Sequence, residues 1–122
     1  MTMHAELKVF LRVNNDRALD KVLSKIRQLC PLPLGEAAGE RYWKDPGLQD
    51  VRLPVSIPPG SVADMTFEAL RVAWALGGPW SVTSIGEPGT EGWEFEALAE
   101  HKGARFHVPG LEWARISLRD GT

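Results

Sequence analysis

Apolar and polar positions alternate from Glu6 to Val13: Leu7, Val9, Leu11 and Val13 share one side, Lys8, Phe10 and Arg12 the other. That period of two predicts a half-buried strand, and Phe10 on the polar side predicts that part of that face is covered as well. The period then changes. After Asn14-Asn15-Asp16, three consecutive good capping residues, the apolar positions Leu19, Val22, Leu23, Ile26, Leu29 and Cys30 recur at spacings of three and four. This is an amphipathic helix, and Pro31, Pro33 and Gly35 stop it. Residues 31–50 show little pattern and are rich in Pro, Gly and charge. They read as a long loop with a short irregular piece around Arg41-Tyr42-Trp43, or a weak strand over Glu40 to Trp43. A loop of that length is unusual in a compact domain and is often functional.

Val51, Leu53, Val55 and Ile57 alternate with Arg52, Pro54 and Ser56, a second half-buried strand. Pro54 has no N–H for a ladder and marks an edge or a local break. Ser61 opens a second helix that runs to about Leu76 and ends at Gly77-Gly78-Pro79. Ala63, Phe67, Leu70 and Trp74 line one side of it. Val62, Met65, Ala69, Val72 and Leu76 line much of the rest, so the helix is expected to be central or to meet a partner. Strands follow at Trp80 to Ile85, Trp93 to Glu100, around Phe106 and Val108, and from Glu112 to Leu118, separated by the turns 86–89, 101–103 and 109–110.

The pattern predicts one α+β domain over residues 1–122. Two helices pack on one face of a mostly antiparallel sheet, a ferredoxin-like variant with the order β-α-β-α-β-β-β-β. The 122 residues suffice for one core without disulfides or metals, and the hydrophobic share of 43% is ordinary. A lone cysteine, Cys30, excludes a stapled secreted scaffold and behaves as a small hydrophobe at the end of its helix. The N-terminus lacks the basic and apolar regions of a signal peptide, and no stretch is long and apolar enough to span a bilayer. The cytoplasm is therefore the expected location, with no membrane partner. The net charge of −2 argues against nucleic acid as a partner.

No phosphate-binding glycine pattern, nucleophile elbow or metal-ligand spacing occurs. Gly77-Gly78 sits at a helix C-terminus, where the dipole repels phosphate. His101 and His107 flank a turn beside Glu100 but lack a third ligand, His4 lies far off in sequence, and Ser61 reads as a helix cap. Glu94 and Glu96 share one strand face and need a desolvated pocket to act as acid and base. No cofactor, metal or catalytic residue is implied, and the chain is expected not to be an enzyme.

Two features stand out. Five tryptophans occur in a short chain; Trp74 and Trp93 fall on expected core faces, while Trp43 in the loop and Trp113 beside Arg115 are candidates for a contact surface. Residues 1–30 hold six Lys or Arg against three acids, whereas residues 86–100 hold Glu87, Glu91, Glu94, Glu96 and Glu100 and no basic residue. Such a local field steers a complementary partner unless Arg105 and Arg115 neutralise it across neighbouring strands.

The reading these features favour is a non-enzymatic protein-binding domain that uses Trp43, Trp113 and the five glutamates. A small acidic antidote that covers a toxin's basic surface, as bacterial immunity proteins do, is one such type. Two alternatives stand beside it. One is a small-molecule-binding domain or cofactor-free enzyme with an apolar pocket lined by Trp74, Trp80, Trp93, Phe95 and His107. The other is an assembly subunit that homodimerises through helix 62–76 or an edge at Pro54.

Overall fold

A computed structural model describes residues 3–120. The chain forms β1 (Met3–Arg12), α1 (Asp16–Leu29), β2 (Ala38–Arg41), β3 (Leu48–Pro54) and α2 (Val62–Leu76). It continues through β4 (Gly77–Gly78), β5 (Ser81–Ile85), β6 (Glu94–Glu100), β7 (Arg105–Phe106) and β8 (Leu111–Asp120). Six strands make one sheet in the order β2-β3-β1-β8-β6-β5, and every neighbouring pair is antiparallel. The α+β class, with two helices on a mostly antiparallel sheet, is as expected.

The expected element order is not the one observed. β2 pairs with β3 from Ala38↔Arg52 to Arg41↔Gln49, so residues 31–50 are not one long loop; the strand they contain begins two residues before the weak strand expected over Glu40 to Trp43. β4 and β7 form a separate two-stranded ladder that closes the excursion after α2. α1 links β1 and β2, which flank β3, and α2 leads from β3 into the β4–β7 ladder before the chain reaches β5 at the far edge of the sheet. Nor is β3 an edge. Arg27 on α1 donates to the carbonyls of Leu34 and Gly35 at 2.8 and 2.9 Å, and the Gly35 N–H donates to the Pro54 carbonyl at 2.7 Å. The segment held this way covers the end of β3, so Pro54 offers no edge to a second copy.

The alternation read from the sequence sorts the two faces of the sheet. Leu7, Val9 and Leu11 of β1 stand level with Leu53, Val51 and Gln49 of β3, and Val9 and Leu7 with Ala114 and Ile116 of β8. Phe95, Ala97 and Ala99 continue the row on β6, and all of these but Gln49 are buried. The helices cover this face. Asn15 caps α1 through Oδ1, which accepts from the Ala18 N–H at 2.8 Å, and Ser61 caps α2 through Oγ, which accepts from the Asp64 N–H at 3.1 Å. Ile26 is the one fully buried residue of α1, whereas α2 buries Met65, Ala69, Val72, Ala73 and Leu76 over β8 and β6.

α2 ends because Gly77 takes φ +145°, a region that side chains rarely adopt; a Cβ there would stand 2.2 Å from the Arg105 carbonyl oxygen. The far side of α2 corrects the expectation that the helix is central and that Trp74 belongs to the core. Phe67 and Trp74 are 53% and 54% exposed, so Trp74 is not a core residue and the helix is buried on one side only. Their rings meet edge to face at 6.1 Å. Among the described residues, no helix is long and apolar enough to cross a membrane.

Candidate functional site

The face of the sheet opposite the helices carries the candidate residues. On β6, alternation turns Phe95, Ala97 and Ala99 inward and Glu94, Glu96, Leu98 and Glu100 outward. On β8 the outward set is Trp113, Arg115, Ser117 and Arg119, and on β1 it is His4, Glu6, Lys8 and Phe10. Register then decides who meets whom. Glu94 stands opposite Arg119, Glu96 opposite Ser117, Leu98 opposite Arg115 and Glu100 opposite Trp113.

Cross-strand neutralisation by Arg105 and Arg115 does not form. Arg115 faces Leu98 and reaches Glu6 at 4.0 Å, while Arg105 lies in the β4–β7 ladder opposite Gly78. Among the described residues, Glu87, Glu91, Glu94, Glu96 and Glu100 make no ion pair. Glu87 and Glu91 lie exposed in the β5–β6 connection, Glu94 and Glu96 are half-buried on the strand, and Glu100 is exposed at its end. These five carboxylates therefore form an acidic strip along one hairpin.

Trp113 adjoins that strip through Glu100 but is itself packed. Its ring stacks on Phe10 at 4.7 Å, and Phe10 stacks in turn on Tyr42 at 4.5 Å. This row explains the apolar residue on the outer side of β1: Tyr42 and Trp113 cover it. Lys8 Nζ lies 5.5 Å from the Phe10 ring and 5.8 Å from the Trp113 ring, and Arg115 Cζ lies 6.0 Å from the latter. Lys8 also pairs with Asp50 at 3.6 Å, with both side chains largely buried. Asp50 Oδ1 and Arg115 Nε are buried with no hydrogen-bond partner among the described residues. Trp43 ends the row. It is 81% exposed, 6.2 Å from Tyr42, with Lys44 Nζ 5.1 Å from its ring.

The turn that carries Trp43 is clamped by Arg12. Arg12 Nη2 donates to Asp45 Oδ2 at 2.9 Å, and Nε donates to Glu112 Oε2. The hydrogen bond from Arg12, helped by the Gly47 N–H at 3.0 Å, holds the Asp45 carboxyl below its ordinary range. The same contacts, to Asp45 first and then Glu112, push the Arg12 guanidinium above its ordinary value.

The residues proposed for an apolar pocket do not converge. Trp74 points away from the core, Trp93 and Phe95 are packed within it, and His107 is exposed. Trp80 is half-buried and donates through Nε1 to the Gly77 carbonyl at 2.8 Å. Among the described residues, no group of three or more His, Cys, Asp or Glu is placed to hold a metal ion. Burial pushes the Cys30 thiol above its ordinary value, which leaves little thiolate for chemistry at neutral pH. A groove of about 730 Å³ between α1 and residues 108–110 has Val13, Val22, Val108 and Pro109 in its lining and Arg12, Lys21 and Lys25 as its cations. It gathers part of the N-terminal basic charge on the helix side, away from the glutamates.

Sequence reasoning missed Tyr42, which joins the aromatic row, and the outward pair Phe67 and Trp74. One signal for that pair was present: Arg71 falls between them on the same face of α2 and marks that face as solvated. Comparison of the chain with protein-family models, with curated proteins and with solved structures gives no match.

Proposed function

We propose that this domain is a non-enzymatic protein-binding module whose acidic hairpin engages a partner with a basic surface. The carrying observation is that Glu87, Glu91, Glu94, Glu96 and Glu100 lie together on β6 and its connection to β5 without an ion pair among the described residues. Unpaired carboxylates on a strand and the connection before it raise the local concentration of a cationic partner and give up little on docking, because no internal salt bridge has to break. The row stacked from Trp113 through Phe10 to Tyr42 extends the same face with aromatic area, and Trp43, tilted against Tyr42, is its freely accessible end. An antidote that covers the basic site of a toxin, in the manner of an immunity protein, is the kind of partner relation such a surface suits.

The test is affinity capture from an extract of the source cells, with the wild-type chain beside the triple reversal Glu94→Lys/Glu96→Lys/Glu100→Lys. A specific partner is expected on the wild type alone, and rising salt should release it. A partner retained equally by both chains, or none on the wild type, overturns the reading.

A further inference from the structure

The two edges of the sheet differ in a way that points to a second copy of this chain. At one edge, β2 is short, contains a glycine and carries Glu40 and Arg41, the usual guards of an exposed strand. At the other edge, β5 reads Ser81-Val82-Thr83-Ser84-Ile85, with no charge, no proline and no glycine. Three of its five residues are β-branched, and every one is exposed, with Val82 at 52% and Ile85 at 67%. One side of β5 pairs with β6 in regular register, so the other side presents free backbone groups in an extended, pre-ordered row.

We propose that a second copy pairs antiparallel along β5, about a two-fold axis at Thr83, and joins the two sheets into one. An isologous pair needs a strand that tolerates its own reverse. In this register Thr83 meets Thr83 of the second copy, Val82 meets Ser84, and Ser81 meets Ile85. No charged residue opposes another. Val82 and Ser84 lie on the helix side, opposite Ala97 and Phe95 of β6. The two Val82 side chains are then diagonal neighbours across the axis, about 7–8 Å apart and within reach of one another. On the other face Ile85 lies beside Ser81 of the second copy, with that copy's Leu98 one strand further on, so no charge faces the exposed isoleucine across the seam.

The acidic strip does not oppose this pairing. Glu96 sits opposite Thr83, so the two Glu96 residues are separated by three strand spacings, about 14 Å. That exceeds the screening length of about 8 Å at physiological salt. The inference is independent of the acidic-strip reading: the strip stays open in the dimer, and either proposal stands if the other fails.

The experiment is sedimentation equilibrium across about 10 µM to 1 mM, the range suited to an interface at the small end of specific contacts. The wild type is expected to pass from monomer to dimer mass. Thr83→Lys and Thr83→Glu each place like charges at the axis and should remain monomeric where the wild type is dimeric. Mixed in equal amounts, the two variants should recover the dimer. Thr83 is exposed, and circular dichroism of each variant confirms that it stays folded. A Phe67→Ser/Trp74→Ser variant should dimerise as the wild type does. Monomer at every concentration, single variants that dimerise normally, a mixture that fails to associate, or loss of the dimer in the α2 variant would each overturn the proposal.

Discussion

Lys8 and Asp50 show how far one register position reaches. Lys8 sits opposite Arg52 and Arg115, two further cations, yet its ammonium turns to Asp50 on β3 and lies over the Phe10 and Trp113 rings. Removing one partner leaves the other charge largely buried and unpaired, which costs more than the pair itself contributes. Lys8→Met is expected to lower stability by about 3 kcal/mol in a urea titration, the low end for a broken buried pair because both side chains keep some exposure. Lys8→Met/Asp50→Leu should recover most of that loss, because neither charge then needs a partner. A double variant no more stable than Lys8→Met would show that Asp50 is held by something other than this lysine.

At the scale of elements, what could be read in the sequence follows burial. β1, β3 and β8 each bury one side in the core, and that imprints the period of two; α1 buries one stripe and shows spacings of three and four. β2 buries nothing, so Ala38-Gly39-Glu40-Arg41 has no alternation to read, and its strand is specified by the ladder with β3. α2 misled for the opposite reason. Its composition is apolar nearly all round, but a two-layer packing buries one side, which leaves Phe67 and Trp74 on the other. Of the candidate surface, alternation correctly put Glu94 and Glu96 on one outward face, whereas the stacking of Trp113 on Phe10 depends on a pairing 103 positions apart in the chain. The two tryptophans assigned to the core by pattern should separate in experiment. Trp93→Ala is expected to cost about 3–5 kcal/mol, since the ring is 3% exposed. Trp74→Gln should change stability by no more than about 0.5 kcal/mol. Equal losses for both would mean that Trp74 is covered in solution.

For the whole molecule, the sheet order sets a gradient of stability from the centre outward. β1 and β8 are adjacent and central, and each has a paired strand on both sides and fully buried residues on its inner face. They bring the two ends of the described chain together, so neither can open without unzipping the sheet and uncovering the core beneath α2. β2 and β5, at the edges, are exposed throughout and each held by one neighbour. Native-state hydrogen exchange should reflect this order. Amides of β1, β8 and the buried part of α2 are expected to exchange only through global unfolding, and those of β2 and β5 about 100-fold faster or more, through local opening. Concentration separates the two edges. If β5 pairs with a second copy, its protection rises as protein concentration rises, while β2 stays fast at every concentration because its charged edge accepts no strand. Uniform protection across all six strands in dilute solution would mean that the sheet opens as one unit and that its edges are held as firmly as its centre.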